Sequence, residues 1–585
     1  MASALVVGGP QRPAGNREPP QALEELNATR AAVSLPLEII VLIFSNLLSI
    51  SPPRRLDARV ELGWIGVTHV CHRWRQAAIS AAILWTRISD LGPEWTRVSL
   101  QRAGSAPLRL DRYEAGSNTS PAVEDIACRL GQMRILPILG SHEILRPLLD
   151  RLHGPAPRLE YLDVEIRDEG QAQDHPISEV HGVLLNGGGG PLHHLKLTNV
   201  FFQWNSFNFS GLVRLSLSYK EHTLYTNMEE TRLPSLLSVL ATIRDTPNLE
   251  HLHLANAVHA FNSEEFRHSL TPVSLPNLKR LIIEQNKAVC AALIRNVVLK
   301  LKANVSICCI ESTIPAWETD ADIRVLLSFL ASHVLPVGPD ECNYDCDFDC
   351  NGDHCLDLCY QFNILPEPYG DIEIYTRTHG AEREAGYLSM RGVIANDLLA
   401  PIKTMFSTLP RERLTIVEMR NEAEMSADVW TEIFLTTGLH WPNVHGVLLE
   451  PDGNCSFLVA LLGLNADAIP SLKEVVLDAE PGLPLELLDE VESRIVHARE
   501  RGVPLERITL RTAPESEGVE QWKDMLAAVV PMFRYDAETG PGDGFYAWHI
   551  GGIFYVDEDE DDDSEGEEEG EEDEGEDEED ENENA

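Results

Sequence analysis

Leu249-Glu250-His251-Leu252-His253-Leu254 is one of eight segments of the same form, L-x-x-L-x-L with Val or Ile allowed at the leucine positions. The others in the first block begin at Leu159, Leu192, Leu212 and Leu278, and those in the last block at Val444, Leu472 and Leu505. Starts are separated by 33, 20, 37 and 29 residues in the first block and by 28 and 33 in the last. Apart from the 20, each spacing leaves room for a strand, a helix and two loops. The last three residues of each segment alternate as a half-buried strand does, with successive side chains on opposite faces. One such unit cannot bury its own apolar face and must stack on a neighbour. The competing reading is an ordinary α/β domain whose buried strands are rich in leucine. Eight copies at strand-plus-helix spacing favour a stacked array. Residues between the leucines, such as Lys196 and His253, are then expected on the open face, where a protein ligand would lie. Residues 99–110 read as the first unit, and a helix over residues 519–533, with Trp522, Leu526, Val529 and Val530 on one side, reads as a cap.

Working towards the N-terminus, the next informative stretch is residues 35–85. It opens Leu35-Pro36-Leu37-Glu38-Ile39-Ile40, continues through Ile43-Phe44-Ser45-Asn46-Leu47, resumes as Thr68-His69-Val70-Cys71-His72-Arg73-Trp74-Arg75 and closes on Leu84-Trp85. Pro36 suits a first helical turn, where its missing N–H would have no partner, and Glu38 suits the positive end of the helix dipole. Ile39, Ile43 and Leu47 form one stripe, and Ile40, Phe44 and Leu48 the adjacent one. Together they exceed the roughly 100° arc that a surface helix buries. Either the helix is wholly buried or one stripe is left over for a partner. The apolar run is about 14 residues with Glu38 inside it, too short for the roughly 20 that cross a membrane. A second helix is expected from about residue 66 to 83, with Val70, Trp74, Ala77 and Ala78 on one face. Between the two helices, residues 51–66 read as a loop from Pro52-Pro53-Arg54-Arg55.

These residues resemble the F-box family, in the form common among fungal F-box-like proteins. The matching positions are Leu35, Pro36, Glu38, Ile39, Ile43, Phe44, Leu47, Val70, Cys71, Trp74, Arg75, Leu84 and Trp85, and the insert at residues 51–66 is longer than in the short form. The resemblance implies a three-helix module that docks on the Skp-type adaptor of a cullin–RING ubiquitin ligase. On that basis Leu35, Pro36, Ile39, Ile43, Phe44 and Leu47 carry the adaptor contact, with Val70 and Trp74 behind or beside them. The leucine segments in turn resemble the irregular leucine-rich repeats that often follow an F-box. The expected fold is α/β: residues 1–33 without fixed structure, an F-box-like domain at 34–90, a leucine-rich-repeat solenoid at 91–555, and an acidic tail at 556–585. The expected function is substrate recognition in an SCF-type ligase, without catalysis and without a cofactor. The alternative is a scaffold outside the ligase whose acidic tail binds basic partners such as histones.

Composition narrows the classes. The net charge is −46, and residues 557–585 hold 22 Asp or Glu with no Lys or Arg, leaving −24 on the rest. Such a chain disfavours nucleic acid as the main ligand, because phosphate contacts need Lys and Arg. The tail repels itself and cannot form a core. The N-terminus has neither the charged region nor the apolar run of a signal peptide. With eleven cysteines, this favours reduced thiols and a cytoplasmic or nuclear setting. No membrane partner is expected.

Chemistry-bearing clusters are few. Cys342, Cys346, Cys350, His354, Cys355 and Cys359 fall within eighteen residues, but at spacings unlike the Cys-x2-Cys of short zinc knuckles, so a thiol-bearing loop insertion is the preferred reading and no metal is expected. Asp347, Asp349, Asn351 and Gly352 fit half a calcium loop, yet its twelfth position is Leu358 where a bidentate Glu belongs. The glycines at 187–190 lack the Lys-Ser/Thr of a phosphate loop. No nucleophile–base arrangement is visible.

Overall fold

The computed structural model describes residues 35–56, 59–116, 120–167, 178–188, 190–219, 233–259, 271–299, 303–309, 320–333, 356–364, 369–378, 384–394, 403, 407, 416–421, 426–450, 455–478, 485–511 and 518–536. The N-terminal segment 1–33 and the acidic tail lie outside them.

Helix α1 (Leu37–Ile50) starts one residue after Pro36, whose carbonyl accepts from the backbone of Ile39 and Ile40, both at 3.1 Å. The insert after it is not a plain loop. It folds as an antiparallel pair, β1 (Arg54–Leu56) with β2 (Arg59–Glu61), and returns through a 3-10 segment, Gly63–His69. Gly63 has φ +48°, and a Cβ there would run into the backbone of Ser51 and Pro52, so this closure requires glycine. The expected helix over 66–83 is broken. Its α-helical part is α2 (His72–Ser80), and Cys71 adopts extended backbone to serve as its N-cap, accepting from Trp74 N at 3.5 Å. A second 3-10 turn, Ala82–Trp85, carries the closing Leu-Trp.

These pieces share one core. Phe44 meets Trp74 edge-on at 5.3 Å, and Trp64 meets Trp85 at 5.1 Å, geometries that aromatic pairs favour. The Trp85 indole donates to Ala78 O at 2.8 Å. Two arginines tie the helices: Arg73 donates to Leu35 O at 2.6 Å, and Arg75 to Thr68 O at 2.7 Å. On α3 (Pro93–Ala103), the Arg102 guanidinium lies 4.2 Å over Trp85, joining this module to the strands beyond it.

Those strands form a ladder, mostly parallel, with helices between them. Its first part runs β3 (Arg87–Ile88), β4 (Leu108–Leu110), β5 (Tyr113–Ala115), β6 (Met133–Gly140), β7 (Tyr161–Ile166), β8 (His194–Thr198), β9 (Arg214–Ser218) and β10 (His251–Ala255). From β6 onward each strand lies parallel to the next. A separate parallel pair joins β11 (Val273–Leu275) to β13 (Val297–Leu299). The ladder itself continues through β12 (Arg280–Gln285) to β14 (Asn304–Cys309). Helices α4 (Ser120–Ala127), α5 (His142–Leu149), α6 (Leu236–Arg244), α7 (Lys287–Arg295) and α8 (Asp320–His333) fall between strands in this half.

Three antiparallel strands then interrupt the parallel run expected across 91–555. They are β15 (Leu356–Ile364), β16 (Tyr369–Thr378) and β17 (Glu384–Ile394), entered out of sequence: β14 pairs with β17, and β15 passes the ladder to β18 (Ile416–Asn421). Parallel pairing resumes through β19 (Gly446–Glu450), β20 (Glu474–Asp478), β21 (Arg507–Arg511) and β22 (Met532–Asp536). Between these strands lie α9 (Ala427–Thr437), α10 (Cys455–Leu462), α11 (Leu488–Glu500) and α12 (Val519–Val529). The expected cap helix therefore stops at Val529. Pro531 cannot continue the hydrogen-bond pattern, and Phe533 belongs to β22.

The eight leucine segments match this ladder position by position. The three apolar positions of every segment are buried, none more than 6% exposed. Leu162, Leu195, Leu215, Leu252 and Leu281 are direct partners across five consecutive ladder strands, and Val447, Val475 and Ile508 across three more. Asn199 and Asn256 follow two strands with left-handed backbone (φ +59° and +50°), which asparagine tolerates. Each donates its side-chain amide to a carbonyl at the end of the preceding ladder strand, Ile166 at 2.9 Å and Tyr219, just past β9, at 3.1 Å.

Candidate functional site

The first candidate surface is the outer face of α1. At about 100° per residue, Ile39, Leu42, Ile43 and Ile50 fall on one side, while Ile40, Phe44 and Leu48 fall on the other. The fold separates them accordingly. Ile40 and Phe44 are fully buried, with Leu47 and Leu48 half-buried beside them, whereas Ile39 is 41% exposed, Ile43 38%, Leu42 58% and Ile50 74%. The surplus stripe read from the sequence is thus a real outward face, enlarged by Leu42 and Ile50. Those two were missed because they continue the stripe at i+3 and i+7 rather than i+4.

The residues expected to touch an adaptor divide. Pro36, Ile39 and Ile43 are exposed, and Leu35 and Leu47 are half-buried. Phe44 does not face outward: its ring fills the core against Trp74, which is itself half-buried. Phe44 therefore positions the helix from within the core. Val70, expected behind or beside the face, is 61% exposed, because the break before Cys71 turns it away from the core.

The second candidate surface is the ladder face opposite the leucines. Lys196 and His253, expected on this open face, are engaged across strands. Lys196 pairs with Asp163 at 3.2 Å, and His253 bonds Ser216 at 2.9 Å and Glu284 at 3.2 Å. Long polar side chains on adjacent strands come within bonding reach of each other, and a motif inspected one copy at a time conceals such pairs.

One row on this face stands apart. Following direct cross-strand partners from β3 gives Arg87, Arg109, Ile135, Tyr161, His194, Arg214, His251, Arg280 and Asn304. It contains four arginines, two histidines and no carboxylate, in a chain with twice as many acidic as basic residues. The Tyr161 and His194 rings pack at 4.1 Å. Burial, then the charges of Arg214, Lys196, His193 and His251, lower the His194 pKa from 6.5 to about 3. The unfolded chain therefore takes up a proton near pH 6.5 that the folded chain refuses until about pH 3. The corresponding stability is intact above pH 6.5 and is lost as pH falls below it, by up to about 1.4 kcal/mol per unit. His194→Gln should lose less stability than the wild type between pH 7 and pH 5, measured by urea unfolding at both values.

Of the thiol cluster, Cys342, Cys346, Cys350, His354 and Cys355 lie outside the described residues, and Cys359 is described only as backbone of β15. Among the described residues no cluster of three or more His, Cys, Asp or Glu could hold a metal, and no helix is long and apolar enough to cross a membrane.

No curated protein matches the chain significantly. Among solved structures, the crystal structure of the Rad7 and Elc1 complex in yeast matches at 12% identity over 86% of this chain and 96% of that one. The TM-score is 0.25, too low to carry an argument about either surface. The family comparison is local and coincides with the module around α1: residues 32–90 match the F-box-like family, and this part of the chain is an F-box-like domain.

Proposed function

We propose that the chain is a non-catalytic substrate-recognition subunit of a cullin–RING ubiquitin ligase. The observation that carries this reading is the outward apolar stripe of α1 within an F-box-like domain. Exposed isoleucines and leucines at helical spacing are the form an adaptor groove recognises, reading anchors at i, i+3, i+4 and beyond. The adaptor is of Skp type and links the chain to a cullin. The strand ladder, read as an irregular leucine-rich-repeat solenoid, holds a protein substrate on the face opposite the leucines. No chemistry is required of the chain. It raises the effective concentration of a substrate lysine near the charged conjugating enzyme.

Co-expression with a Skp-type adaptor, followed by purification on a tag carried by the chain, tests this. An equimolar complex that survives gel filtration is the expected result. Recovery of the chain alone would overturn the proposal.

A further inference from the structure

The arginine row gives the ladder face an occupant within the chain itself. Arg109, Arg214 and Arg280 have no ion-pair partner among the described residues. The carboxylates beside the row are already engaged: Asp111 with Arg87 and Glu160 with Arg134, each at 2.7 Å, Asp163 with Lys196 at 3.2 Å, and Glu250 with Lys279 at 2.7 Å. The row therefore keeps three arginines without an ion pair of their own among these residues, beside carboxylates already held by other cations. At about 4.8 Å per strand its eight steps span about 38 Å. Its two histidines and Tyr161 add flat surfaces between the guanidinium groups.

We propose that the acidic segment, residues 557–585, docks across this row. The two surfaces are complementary, 22 carboxylates without a cation against a row in which three of the four arginines have no ion pair among the described residues. The tether reaches. From Asp536 back to the strand of Asn304, the ladder order β22, β21, β20, β19, β18, β15, β16, β17, β14 makes eight steps, about 38 Å. Residues 537–556 extend to about 66 Å. Tethering also decides between occupants. A free polyanion, nucleic acid included, must approach a body that is itself negative and is repelled from a distance. The chain's own tail meets the same repulsion at the effective concentration, on the order of millimolar, that covalent linkage through a short connecting segment supplies. Docking there covers the face proposed for a substrate, so an acidic ligand would have to compete with the tail. The docking itself does not depend on the adaptor reading, and adaptor capture should be the same with or without the tail.

The test uses the full chain, the chain cut after Val556, and a fluorescent peptide of residues 557–585, with binding read by anisotropy. The cut chain should bind the peptide, at least tenfold more weakly in 0.5 M than in 0.05 M salt. The full chain should bind it at least tenfold more weakly than the cut chain, because its own tail holds the row. In the cut chain, R214E/R280E should lower affinity at least tenfold at an unchanged melting temperature. Arg109→Glu, on a different and exposed strand position, provides an independent variant should that pair disturb folding. No binding by the cut chain, equal binding by full and cut chains, or indifference to these charge reversals would overturn the proposal. So would tighter binding of a single-stranded RNA of equal charge, which would assign the row to nucleic acid.

Discussion

Replacing Ile39 and Ile43 together with aspartate is expected to weaken adaptor capture at least 100-fold while leaving the chain folded. Both side chains are about two-fifths exposed, so each has about two-fifths of its burial still to gain from a partner. Complete burial of such a side chain is worth about 1.5–3 kcal/mol, and two-fifths of that, taken twice, already accounts for about eightfold to sixtyfold. Aspartate then adds the cost of desolvating a carboxylate in an apolar groove, which moves the expectation to the upper end and beyond. The cost to the free chain is small, because the positions face water and Asp differs from Ile in helix propensity by a few tenths of a kcal/mol. Phe44→Ala provides the contrast. Its ring is fully buried against Trp74, and removal should cost about 3–5 kcal/mol of stability, lowering the melting temperature and adaptor capture together. Calorimetry alongside titration of purified adaptor separates the two variants. Capture by the double aspartate variant within threefold of wild type would remove α1 as the docking helix.

The sequence reading of α1 and its outcome show what a periodic pattern discloses. Two adjacent apolar stripes were visible, and so was the conclusion that one helix face cannot hide both. Which stripe turns inward was not visible, because that depends on Trp64 within the insert and on Trp74 beyond it. Phe44 enters the adaptor set through the family resemblance, which does not say which stripe turns inward. The ladder repeats the lesson at larger scale. Leucine positions were legible in eight strands because burial imposes the same residue type each time. Strand β14 was missed, because its inward pair is Val305 and Ile307 and the position where earlier copies carry Leu is Lys302. Strand β22 presents Phe533 and Tyr535 instead of leucines. The break at Cys71 depends on a sulfur acting as a cap, which no helical period records. The arginine row was illegible for a different reason. Its members lie 20 to 37 residues apart from Tyr161 to Arg280 and become neighbours only through register, which is fixed by the buried leucines beside them.

That dependence makes Leu215→Ala the second large expected effect, and its sequence neighbour the control. Leu215 is 2% exposed and stands between Leu195 and Leu252 on the flanking strands, so the cavity left by alanine is walled by side chains that cannot collapse into it without shifting both strands. A loss of about 2–5 kcal/mol is expected. Ser216 is one residue further, on the opposite face, where its hydroxyl bonds His253 at 2.9 Å. Ser216→Ala removes that bond at a half-exposed position and should cost about 0.5–1.5 kcal/mol. Because Arg214 and Leu215 share a strand, the register that buries one also aligns the other with His194 and His251. Leu215→Ala should therefore weaken binding of the acidic peptide to the cut chain, although it removes no charge and touches no residue of the row, whereas Ser216→Ala should not. Urea unfolding and the anisotropy titration on the same two variants measure both effects, and equal destabilisation by both would mean that this strand does not alternate between a core face and an open one.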